Sequence, residues 1–63
     1  MTENELHNLK LKYLNKLVFV VIQDEFHPIA AKGRVEYIDD AGQLHGTWGG
    51  LAAIPGIDRI ELL

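Results

Sequence analysis

Hydrophobic positions in this chain repeat with a helical period first and with strand spacing afterwards. Over residues 2–14, Leu6, Leu9 and Tyr13 fall at i, i+3 and i+7, one apolar stripe with Leu14 at its edge. Thr2 and Glu5 have the spacing of a capping box, in which each side chain satisfies the other's backbone N–H. Glu3 and Glu5 stand at the positive end of the helix dipole and Lys10, Lys12 and Lys16 near the negative end. Asn15, which tolerates the left-handed conformation, suits the helix exit. A strand alternating through Leu9, Leu11 and Tyr13 is the competing reading; the helix is preferred. So short a helix is marginal alone, and its stripe needs a surface to lie on.

From Leu17 to Gln23 the run LVFVVIQ is β-branched and aromatic, the signature of a strand. Leu17, Phe19 and Val21 point to one face and Val18, Val20 and Ile22 to the other. A strand apolar on both faces needs two covers. The sheet interior supplies one, and the other falls to the helix stripe or to a second copy of the chain. Asp24 to Lys32 is expected as a loop, because Pro28 restricts His27 and has no N–H to give a central ladder. A loop of that length is where binding residues are presented, so Phe26 and His27 are candidates; Phe26 also has the alternative of folding back as a cap.

Gly33 opens the next strand, with Val35 and Ile38 inward and a bulge near Glu36-Tyr37 to reconcile their odd spacing. Asp39-Asp40-Ala41-Gly42 is a turn. The return strand, Gln43 to Trp48, sets Leu44 inward. After Gly49-Gly50 a short strand is expected over Leu51 to Ile54. Pro55-Gly56-Ile57-Asp58 fits one 3₁₀-like turn, and Arg59 to Leu63 fits a closing strand.

That order of elements resembles an SH3-like barrel. The expected fold is therefore mainly β: a small five-stranded SH3-like barrel with one short N-terminal α-helix, residues 1–15 being the helix and 16–63 the barrel of a single domain. The run G-R-V-x-x-I-D-D-x-G-Q-L-H-x-x-W, residues 33–48, is similar to the strand-and-hairpin of KOW-type barrels. With Leu51-x-x-Ile54-Pro55-Gly56-x-Asp58 it also resembles a family of short uncharacterised domains of Gram-positive bacteria, their phages and plasmids. The resemblance spans about residues 13–62 and implies fold and context, with no activity attached. Family members commonly carry an Asn- or Ser-rich tip after the tryptophan, where this chain has Gly49-Gly50.

Composition narrows the functional classes. The chain has 63 residues and no cysteine, which excludes disulfides, thiolate zinc sites and iron–sulfur clusters. Stability must come from apolar packing, for which 48% hydrophobic against 24% charged residues suffices. The longest apolar run, Leu17 to Ile22, is six residues, far below the ~20 of a membrane helix. The N-terminus lacks a basic, then apolar, leader. A cytoplasmic protein without membrane contact is expected.

Net charge is −3, and residues 17–63 oppose Lys32, Arg34 and Arg59 to seven carboxylates. Phosphate tracking needs clustered cations, so nucleic acid is disfavoured as a partner. A KOW-like nucleic-acid contact through Lys32, Arg34, Tyr37 and Trp48 remains the alternative.

Candidate chemistry is thin. His7, His27 and His45 fall on different elements, so no metal site is expected. Asp39 and Asp40 read as turn residues, and no nucleophile motif or phosphate loop is present; no catalytic residue and no cofactor is expected. Tyr37 and Trp48, with Phe26 and His27, are the candidate binding residues, because aromatic side chains dominate interface energetics. Trp48 has the equal alternative of packing on the barrel end. The sequence thus points to a non-enzymatic protein-interaction module, monomer or homodimer, as an accessory protein of a phage or mobile element. An inhibitor that fills a defence enzyme's nucleic-acid groove is a sharper form of that reading.

Overall fold

A computed structural model describes residues 1–63: one helix, α1 (Glu3–Tyr13), and four strands, β1 (Leu17–Ile22), β2 (Ile29–Ile38), β3 (Leu44–Gly46) and β4 (Arg59–Leu62). All strand pairs are antiparallel, and the sheet order is β3-β2-β1-β4.

Both halves of the capping box form at the start of α1. Glu5 N–H donates to Thr2 Oγ1 (3.1 Å) and Thr2 N–H to Glu5 Oε1 (3.4 Å). Asn15 takes the left-handed conformation at φ 63°. That turn feeds the chain into the sheet, where Asn15 N–H meets Val35 O (2.9 Å) and Val35 N–H meets Lys16 O (3.0 Å). Tyr13 is buried in the core, and Leu6 and Leu9 pack against it.

β2 begins at Ile29 rather than at Gly33, so the loop before it is six residues, 23–28, not nine. Ile22 pairs with Ile29 and the ladder runs on to Leu17 opposite Arg34. Pro28 stands just outside this ladder, so its missing N–H forfeits no bond. Farther along, the register shifts between Val35 and Tyr37, and the bulge lets both Val35 and Ile38 face inward. The strand thereby bends, pairing with β1 along its first six residues and with β3 along its last four.

Four strands form, not five, and the sheet is not closed into a barrel. The expected strand Leu51–Ile54 amounts to a single bridge, Ala53 with Leu44, bonded both ways at 2.9 and 2.8 Å. Gly49 and Gly50 both sit at positive φ, and Leu51 N–H turns back onto Gly49 O (2.8 Å). Pro55 then ends the segment without a donor to give. One residue in register is all that fits between those two constraints.

The core is Tyr13, Val18, Val20, Ile22, Val35, Ile38, Leu44 and Ala53. It lies on one face of β1 only. The opposite face of β1 is not covered by the helix: Leu17 is 51% exposed, and Phe19 and Val21 are half-buried. The helix stripe serves the same core as Val18 and Val20, because the left-handed turn at Asn15 brings α1 back over that side.

Candidate functional site

The four candidate binding residues do not form one site. Phe26 and His27 project from the loop at one end of the β1–β2 hairpin, and Phe26 is 84% exposed, so it does not fold back as a cap. Tyr37 lies eight residues beyond Ile29 along β2, up to about 26 Å away at strand rise.

Trp48 is held in place rather than presented. Its Nε1–H donates to Leu51 O (2.7 Å), and its ring lies over Gly33 and Gly46 against the core. A Cβ at Gly46 would collide with the indole and with the backbone of Arg34. Glycine at this position is what allows the ring to seat. Among the two readings open for Trp48, packing accounts for its contacts.

Tyr37 belongs to a small polar cluster at the β2–β3 end. Its ring stacks on His45, centroids 4.3 Å apart and planes 2° from parallel. His45 Nε2–H donates to Asp39 Oδ2 (2.8 Å). The other carboxylate oxygen of Asp39 accepts from Ala41 N–H (3.0 Å) and Gln43 N–H (2.9 Å). Those bonds, first the one from His45 and then the one from Gln43, hold the Asp39 carboxyl below its ordinary pKa of 3.8. Gly42 at φ 83° completes the turn. The cluster fixes the turn through three bonds to one carboxylate and backs the exposed Tyr37 ring.

The outer face of the sheet offers more surface. Antiparallel partners share a face, so Leu17 lies beside Arg34, Phe19 between Lys32 and Glu61, and Val21 between Ala30 and Arg59. Every cation of residues 17–63 is therefore on this face, flanking an uncovered apolar rib, with Glu61 and, beyond Arg34, Glu36 as the carboxylates among them. Three cations and seven carboxylates occupy the rest of the chain. Periodicity had set Leu17, Phe19 and Val21 on one face; that it stays bare depends on where α1 lands, which no local pattern reveals.

Asp58 has a role that the sequence reading gave to no residue. It is 9% exposed, and its carboxylate accepts from Gln23 N–H and from Ile54 N–H, both at 2.8 Å. Ile54 O in turn accepts from Ile57 N–H (3.0 Å) and Asp58 N–H (2.8 Å). The Ile54-Pro55-Gly56-Ile57-Asp58 corner is thus a clamp that ties the end of β1 to the chain entering β4. An acidic residue two places after a Pro-Gly corner was the available signal.

No group of three or more His, Asp or Glu converges as metal ligands would. A shallow open groove runs along α1 past Met1, Glu5, Leu9 and Lys12. No helix is long and apolar enough to cross a membrane.

The chain belongs to the family described as Domain of unknown function (DUF4314), which matches residues 2–63. Comparison with curated proteins and with solved structures gave no match to either.

Proposed function

We propose that this member of the DUF4314 family is a non-enzymatic protein-interaction module of the cytoplasm, an SH3-like scaffold that serves a phage or other mobile element of Gram-positive bacteria as an accessory protein. The supporting observation is the uncovered rib Leu17–Phe19–Val21 with Lys32, Arg34 and Arg59 around it. Full burial of an exposed side chain of this kind contributes about 1.5–3 kcal/mol, and a partner covering these three, each already partly buried, gains roughly half of that from each. Cations at the rim favour a partner segment that is apolar at its centre and acidic at its flanks. Aliphatic Leu17 and Val21 suit protein side chains better than bases, which stack on aromatic planes.

The test is capture from host extract by the wild-type chain, repeated with Phe19→Glu and with Phe26→Ala. A partner with an acidic, apolar contact region, lost by about tenfold or more in Phe19→Glu and kept in Phe26→Ala, supports the reading. A partner insensitive to Phe19→Glu refutes it. The nucleic-acid alternative keeps Lys32, Arg34 and Tyr37 on this face but loses Trp48, whose ring is packed away. Binding to short DNA or RNA that falls steeply with salt would transfer the assignment to it.

A further inference from the structure

β4 has one neighbour, β1, and its other edge is free. Leu63 N–H donates to Leu17 O (3.0 Å), which sets the phase of the ladder. Arg59, Glu61 and Leu63 turn their backbone groups toward β1, and Ile60 and Leu62 turn theirs away. No turn, loop or side chain accepts from the Ile60 and Leu62 N–H groups. On the outer face Arg59 and Glu61 are neighbours, and the guanidinium binds the carboxylate through both Nε and Nη2.

We propose that this edge pairs with the same edge of a second copy of the chain, antiparallel about a two-fold axis through Ile60. The register follows from charge. Only residues whose backbones face the gap can exchange ladder bonds, so Ile60 must oppose Ile60, Leu62 or, in part, Asp58 of the second copy, whose N–H is already given to Ile54 O. Opposite Leu62, the arrangement centres Glu61 on Glu61. Opposite Asp58, it centres Arg59 on Arg59. Both place like charges directly across a close pair, which is destabilising. With Ile60 on Ile60, Arg59 faces Glu61 of the second copy, and the symmetry repeats the match.

Ile57 and Leu63, on either side of this strand, are two of the most exposed large apolar residues, at 67% and 68%. Short charged edges usually keep other strands out; an Arg and a Glu spaced two apart on one face are instead complementary to themselves. The dimer proposal stands on the β4 edge alone and is independent of the rib's partner.

A four-residue edge gives a small contact, so the dimer forms between about 10 μM and about 1 mM, as interfaces well under ~1,200 Å² do. Sedimentation velocity across that range reads the association. Hydrogen exchange reads the edge: the Ile60 and Leu62 amides gain protection with concentration, while those of Arg59 and Glu61, already bonded to β1, do not. Arg59→Glu weakens association by about tenfold or more, and the swap Arg59→Glu with Glu61→Arg restores it to within about threefold. Leu62→Pro removes a donor that no intrachain bond uses and gives a monomer. Should Leu62→Pro fail to fold, the charge-swap cycle decides. A wild-type chain that stays monomeric at 1 mM (about the limit for so small an interface) overturns the proposal. So does a dimer whose Ile60 and Leu62 amides stay unprotected, or a charge swap that fails to restore association.

Discussion

Replacing Asp58 with alanine removes the acceptor for two backbone donors that lie 35 and 4 residues away in the chain, Gln23 and Ile54. A buried N–H left without a partner costs about 1–3 kcal/mol. Both sites are part-buried, so about 2–4 kcal/mol is expected for the pair. A domain of this size has roughly 3–9 kcal/mol of stability altogether, so the variant sits near the edge of folding. At about 4–8 °C per kcal/mol for a chain this short, the midpoint falls by roughly 10–30 °C. Asp58→Asn separates hydrogen bonding from packing, because its volume is nearly unchanged. Its carbonyl serves one donor and its NH₂ opposes the other, so it loses at least half as much as alanine. Urea unfolding followed by Trp48 emission gives the free energies, and hydrogen exchange at Gln23 and Ile54 gives the local effect. An alanine variant within about 0.5 kcal/mol of wild type, the range of an ordinary surface change, refutes the clamp. Retained protection at both amides refutes it equally.

Two further predictions concern the other end of the molecule. Gly46→Ala forces the Trp48 ring and the Arg34 backbone apart, costs about 1–3 kcal/mol as overpacking does, and red-shifts Trp48 emission in the folded state; unchanged emission with unchanged stability would contradict the seating described. Asp39 is held below its ordinary pKa in the folded chain, so its ionised form stabilises the fold above pH 3.8, the unfolded value, and that contribution fades as pH falls through the lower folded value. Acid titration of wild type and Asp39→Asn should therefore give stabilities that differ at neutral pH and draw together once the pH falls below 3.8 and the folded carboxyl takes up its proton; a gap that persists after that protonation would locate the Asp39 effect elsewhere.

Local chemistry made most of the fold legible. Thr2 with Glu5, Asn15, the odd spacing of Val35 and Ile38, and Asp39 to Gly42 each encode a backbone event within five residues, and each occurs. Errors arose where the outcome depends on distant partners. Ile29 to Lys32 lack a strong strand signal, yet β1 has an edge to fill and draws them into pairing. Leu51 to Ile54 has strand spacing, but its flanks Gly49-Gly50 and Pro55 leave only Ala53 able to bond Leu44. The candidate site was legible residue by residue and not as a surface. Aromatic identity marked Phe26, Tyr37 and Trp48, whereas the exposed rib and the free β4 edge are products of which elements end up adjacent.

The two hairpin connections differ in how far they tolerate evolutionary drift in length. Residues 24–28 are all exposed, and the strands on either side are already locked at Ile22 and Ile29. Insertions or deletions among relatives can accumulate there, and a grafted epitope would be carried without touching the core. The bend at residues 39–43 has no such latitude, because one carboxylate must reach Ala41, Gln43 and His45 together. A single added residue in that bend takes at least one of the three out of reach.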